Sequence, residues 1–133
     1  MKLEAANYIV LIVEDLEKSL HFYTKVLGLP LHHIAPNNAF AELDTGVTHI
    51  ALYTREAMTD TLGRKIEKPD RDHPGFEIGF KVDDVDAAFA EVVESGAEVA
   101  VVPTSKFWGQ RTAYVYDPDG HLVEFAQDLP QSD

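Results

Sequence analysis

The chain has 133 residues, 45% of them hydrophobic, which suits one domain with a shared core and rules out an intrinsically disordered polymer. A formal net charge of −12 repels phosphate and anionic lipid, so neither nucleic acid nor a membrane is an expected partner. Cysteine is absent, which excludes disulfides and thiolate chemistry, and no apolar run approaches bilayer length or signal-peptide character, so a cytoplasmic protein is expected.

The first predicted strand begins Tyr8-Ile-Val-Leu-Ile-Val and runs into Asp15, placed to cap a helix by accepting from the amides of its first turn. Leu16, Leu20, Tyr23 and Leu27 then recur at helical steps, and Gly28 with Pro30 ends the pattern. Strands follow at Leu31 to Ile34, Ala39 to Leu43 and Thr48 to Thr54, the last two joined by the turn Asp44-Thr45-Gly46. Glu56 to Gly75 is charged and broken by Pro69 and Pro74, and reads as a connector with a short helix near Met58 to Leu62.

The same order then repeats. Glu77-Ile-Gly-Phe-Lys-Val leads into Asp84 as a second cap; Val85, Ala88, Phe89, Val92 and Val93 form the buried stripe, and Gly96 ends it. Strands are expected at Glu98 to Val102, Thr112 to Tyr116 and Leu122 to Gln127, the last pair joined through Asp117-Pro118-Asp119-Gly120. The fold class is therefore α+β: two βαβββ repeats whose curved mixed sheets form a cup. Repeat one covers 7–55, the connector 56–75 and repeat two 76–128, all within one domain of 1–133. Strand parity groups Tyr8, Val10 and Ile12 on one face, and likewise His49, Ala51 and Tyr53; Glu77, Gly79 and Lys81; Leu122, Glu124 and Ala126.

Two stretches carry a family resemblance. Val13-Glu-Asp-Leu-Glu-Lys-Ser-Leu-His-Phe-Tyr-Thr-Lys-Val-Leu-Gly-Leu resembles the first β-α unit of the vicinal oxygen chelate superfamily, and Phe107-Trp-Gly-Gln-Arg-Thr-Ala-Tyr-Val-Tyr-Asp-Pro-Asp-Gly-His-Leu-Val-Glu-Phe resembles its ending. The likeness extends from Tyr8 to about Gln127. That superfamily includes glyoxalase I, extradiol dioxygenases, fosfomycin-resistance enzymes, methylmalonyl-CoA epimerase and bleomycin-resistance proteins, so the fold alone does not assign a chemistry.

The resemblance implies metal ligands at the start of the first strand and the middle of the fourth strand of each repeat. Tyr8 and Glu77 match the first position, each seven residues before its capping Asp, and pairing His49-Ile-Ala-Leu with Leu122-Val-Glu-Phe sets Ala51 against Glu124. Only Glu124 matches the family's usual carboxylate; neither first-strand position carries the family's histidine, and Ala51 cannot ligate. Two inward glutamates call for a neutralising partner: a divalent ion, a cationic ligand, a shared proton, or Arg111 or Lys81. His49 either completes a His-Glu-Glu set for Mn, Fe, Ni or Zn or is hydrogen-bonded locally, which is the preferred reading. His21 and His121 are expected to be exposed, and one of His32 and His33 to face in.

Phe107 and Trp108 are expected in a loop before a strand, where they either stack on a flat or cationic ligand or cover the sheet edge. The Trp-Gly pair followed by Arg111 is similar to bleomycin-resistance proteins, and Phe40 and Tyr53 extend the same wall. Three functions follow. The first is a homodimer binding a small cationic or aromatic molecule, with no cofactor, through Tyr8, His49, Tyr53, Glu77, Phe107, Trp108, Arg111 and Glu124. The second is a lyase, isomerase, epimerase or dioxygenase in which Glu77, Glu124 and His49 or Tyr8 hold one divalent ion, or the two glutamates alone act as acid and base. The third, a regulatory partner recognised through its surface, has no specific support.

Overall fold

The computed structural model describes residues 1–130; residues 131–133, over which the single-domain expectation also runs, lie outside the described residues. The chain runs β1 (Tyr8–Val13), α1 (Leu16–Leu20) continued by a π-helix (His21–Val26), β2 (Leu31–Ile34), β3 (Phe40–Leu43), β4 (His49–Thr54), α2 (Arg55–Leu62), β5 (Glu77–Lys81), α3 (Val85–Glu94), β6 (Glu98–Lys106), β7 (Gln110–Tyr116) and β8 (Leu122–Asp128). Two compact units result, Met1–Lys68 and the chain from Pro69 onward, divided inside the expected connector. Among the described residues no helix is long and apolar enough to cross a membrane.

Each unit holds one four-stranded mixed sheet of the same topology, β1-β4-β3-β2 in the first and β5-β8-β7-β6 in the second. In each, the first strand runs parallel to the fourth and the other pairings are antiparallel, so each unit is a βαβββ repeat. The first core gathers Leu11, Val13, Tyr23, Ala41, Leu43, Ile50 and Leu52; the second gathers Ile78, Val85, Val92, Ala113, Val115, Val123 and Phe125. Each large apolar side chain so buried contributes about 1.5–3 kcal/mol.

Both expected caps form. Asp15 accepts from the Lys18 amide at 3.2 Å and Asp84 from the Ala87 amide at 3.1 Å. The first helix differs from the single α-helix expected from Leu16 to Leu27. Past Leu20 its bonding widens: the Leu27 amide donates to the Phe22 carbonyl at 2.9 Å, and the Thr24 hydroxyl donates to the Leu20 carbonyl at 2.5 Å. With the wider turn, consecutive Phe22 and Tyr23 are both buried, their rings edge to face at 5.0 Å, while Leu20 and Leu27 are half-buried. The expected connector helix forms over Arg55–Leu62 and stops at Gly63, whose φ of 70° suits glycine.

Three expectations need correction. β6 continues to Lys106 rather than ending at Val102, so Phe107 and Trp108 sit in a three-residue turn with Gly109 and not in a longer loop. β2 carries an irregularity between Leu31 and His33, which stands opposite Glu42, and His32 and His33 are both exposed, so neither faces in. His121 is buried rather than exposed: its amide donates to Asp117 Oδ1 at 2.8 Å and its ring lies 5.8 Å from that of Phe76.

Candidate functional site

In the second unit the odd residues of β7 and β8 and the even residues separate onto opposite faces. Ala113, Val115, Val123 and Phe125 are buried, and α3 packs on β6, β7 and β8. Thr112, Tyr114, Leu122 and Glu124 therefore share the other face, as period-two alternation requires. There the register sets Gly79, Glu124 and Tyr114 side by side across three strands. The Tyr114 hydroxyl donates to Glu124 Oε2 at 2.6 Å, a charge-assisted bond, and both residues are half-buried.

Glu77 stands two residues from Gly79 on the same side of β5. Burial, and then the charge of Glu124, hold the Glu77 carboxyl above the ordinary carboxylate range, against an opposing hydrogen bond with Tyr114. Burial and the hydrogen bond to Glu124 also push the Tyr114 phenol well above its ordinary value, so it stays a proton donor. Among the described residues no lysine, arginine or histidine pairs with Glu77 or Glu124.

The side chains expected to neutralise them are engaged elsewhere. Lys81 pairs with Asp128 at 3.0 Å. Arg111 has the opposite parity to Tyr114, so it reaches back to α3, donating to Asp86 at 2.8 and 2.9 Å, and to Ser105 Oγ of β6 at 3.1 Å. The structure therefore does not bring Arg111 to the glutamates. Thr112, on Tyr114's face, is buried, and its hydroxyl has no partner among the described residues.

Trp108 and Phe107 occupy the β6–β7 turn, with rings edge to face at 5.0 Å. Phe107 is 97% exposed and Trp108 56%, so neither covers a sheet. The Trp108 indole donates to Gln110 Oε1 at 2.9 Å, and Lys106 Nζ lies 5.8 Å from its ring centroid.

The first unit answers the same row with different residues: Val10, Ala51 and Glu42 stand side by side. His49 lies two residues from Ala51 and pairs locally, its Nδ1 2.6 Å from Glu42 Oε1 and its ring 5.6 Å from that of His32. The Glu42 hydrogen bond holds the His49 imidazole above its ordinary value, with Asp44 and the Gly46 carbonyl adding to it. Tyr8 is His49's neighbour in register and is 54% exposed. Tyr53 shares a hydrogen bond with Thr61 of α2 at 2.9 Å and packs edge-on to Phe40 at 6.2 Å.

The donor set does not fit the histidine-containing metal site that the resemblance implies. The second unit offers two carboxylates and a phenol that stays protonated and donates a hydrogen bond to one of them, with no imidazole. Among the described residues no group of three or more histidine, aspartate or glutamate side chains is arranged to hold a metal ion. Sequence reasoning found Glu77 and Glu124 but missed Tyr114, Thr112, Gly79 and Glu42. The signal that finds them is cross-strand register, since Tyr114 and Glu42 each stand beside the middle residue of the last strand in their repeat.

A family profile described as the Glyoxalase/Bleomycin resistance protein/Dioxygenase superfamily matches residues 5–125. The uncharacterized protein YraH of Bacillus subtilis is 35% identical over 116 residues, 86% of this chain and 91% of its own. The glutathione transferase FosA of Serratia marcescens is 29% identical over 122 residues, 92% of this chain and 79% of its own. Among solved structures, TnmS3, an antibiotic binding protein from Streptomyces sp. CB03234, superposes with a TM-score of 0.72 at 25% identity, over 96% of this chain and 98% of its own.

Proposed function

The chain belongs to the glyoxalase/bleomycin resistance protein/dioxygenase superfamily, and from that premise we propose that it binds a small cationic molecule at Glu77, Tyr114 and Glu124. The observation that carries this reading is the pair of carboxylates gathered around one phenol, with no protein cation paired to either among the described residues. Like charges held together resist ionising, and a ligand ammonium or amidinium relieves that. Trp108 sits in the turn before β7, bonded to Gln110, which is four residues and roughly 14 Å along the strand from Tyr114, so only a larger ligand would reach both. Sequestration needs affinity alone, not tighter hold on a transition state. The likeness to an antibiotic binding protein supports it.

The test is isothermal titration calorimetry with benzamidine, an aromatic amidinium, and with neutral benzamide. Benzamidine is expected to bind the wild-type chain and to bind Glu124→Gln about tenfold more weakly, since a hydrogen bond to a charged group contributes about 1.5–3 kcal/mol; benzamide is expected not to bind. Equal benzamidine affinity in both proteins would overturn the reading. A homodimer belongs to this proposal, supported by the exposed apolar side chains Val99, Val101 and Val102 of β6; sedimentation velocity checks it.

One observation favours a second reading. A glutamate held toward its neutral form beside a phenol and a second carboxylate is also equipped to exchange a proton with a substrate, as a metal-free isomerase, epimerase or lyase requires. The relative FosA, a transferase, keeps an enzymatic reading open. It predicts deuterium exchange at the carbon next to the carbonyl of dihydroxyacetone in heavy water, lost in Glu77→Gln; no exchange above buffer rate sinks it for this class of substrate.

A further inference from the structure

Gly79 lies in the middle of β5, where glycine costs roughly 0.5–1 kcal/mol relative to alanine. It is not one of the glycines held at positive φ, so backbone conformation does not explain it. What it faces is Glu124. A β-carbon built on Gly79 would stand 2.9 Å from Glu124 Oε1, closer than real β-carbons approach. The other oxygen of that carboxylate accepts a hydrogen bond from the Tyr114 hydroxyl at 2.6 Å. The carboxylate is thus held between a bare stretch of β5 and the phenol on β7.

We infer that Gly79 is a positioning residue: by leaving its part of β5 without a side chain, it seats the Glu124 carboxylate against Tyr114. The purpose given to that seat rests on the binding reading above. The first unit supplies an internal control. At the matching place Val10 stands beside Ala51, so where no long carboxylate needs the room the first strand carries a branched side chain.

The atom that a methyl group would strike is the free end of a flexible side chain, so the fold can absorb Gly79→Ala while the carboxylate gives way. Seating and folding therefore separate. The experiment uses the full chain labelled with 3-fluorotyrosine, whose phenol ionises before alkaline unfolding intervenes, and fluorine NMR, with Tyr114→Phe to assign the resonance. Wild-type Tyr114 is expected to titrate above the exposed tyrosines. Gly79→Ala is expected to bring that titration down towards theirs, to keep or raise the melting temperature, and to weaken benzamidine about tenfold. Gly75→Ala, where an added β-carbon meets nothing within 4 Å, should leave the titration unmoved. In a Glu124→Gln background Gly79→Ala should cost no further affinity, because the carboxylate it acts through is gone.

An unmoved Tyr114 titration in Gly79→Ala overturns the seating role. A moved titration with unchanged benzamidine affinity upholds the seat and overturns the binding reading instead.

Discussion

The two units share a topology and a register yet present opposite chemistry at the same place. The first reads Val10, Ala51, Glu42 across its first, fourth and third strands; the second reads Gly79, Glu124, Tyr114. In the first, the carboxylate sits on the third strand and is satisfied by His49 at 2.6 Å, so the row is closed. In the second, the carboxylate has moved to the fourth strand, meets a neutral donor, and has Glu77 for a neighbour. Duplication has kept what builds the sheets, the capping aspartates and the buried β-positions, and has let the row diverge. A repeat in sequence thus predicts a repeated fold and not a repeated site.

That comparison can be broken by transplanting its key residue. Ala51 is fully buried beside Val10, so Ala51→Glu introduces a charge with no seat and is expected to destabilise the chain by about 3–5 kcal/mol in urea denaturation. Adding Val10→Gly should recover part of that loss; if Ala51→Glu alone costs nothing, the two rows do not differ as described.

Two smaller effects follow from the titrating groups. Glu77 is raised above 4.5 in the folded chain, so the folded state keeps a proton that the unfolded state has released. Its stabilising contribution is complete below the ordinary value and is lost as pH rises through the raised one. Glu77→Gln should flatten that fall in melting temperature, and it should also remove the rise in benzamidine affinity over the same pH interval. His49 is raised above 6.5 by Glu42, so its contribution is present below that value and fades as pH rises through the raised one. His49→Gln should abolish that later fall without altering benzamidine affinity. The smallest effect is expected from Arg111→Met: the solvent-screened pair with Asp86 should leave the melting temperature nearly unmoved, and benzamidine affinity should not change.

Much of this was legible in the sequence because it depends on local patterns. Asp15 and Asp84 cap as their positions suggest, and the pairing of Ala51 with Glu124 across the repeats matches the observed register. What escaped depends on long-range alignment. Tyr114 and Arg111 are three residues apart on one strand and face opposite ways, and only the pairing of β7 with β8 says which of them meets Glu124. Gly79 is silent for the same reason, since its neighbour lies on another strand. The π-helix was hidden because Leu16, Leu20, Tyr23 and Leu27 satisfy an α-helical period whichever hydrogen-bond register forms. His121 follows a turn that reads as surface, but Asp117 draws its backbone inward.

The most direct test of the account is amide and side-chain NMR of the labelled full chain titrated with benzamidine. The largest shifts are expected on Gly79, Tyr114 and Glu124, with the matching residues Val10, Glu42 and Ala51 undisturbed. Shifts centred on the first unit's row, with the second unit's row silent, would contradict it.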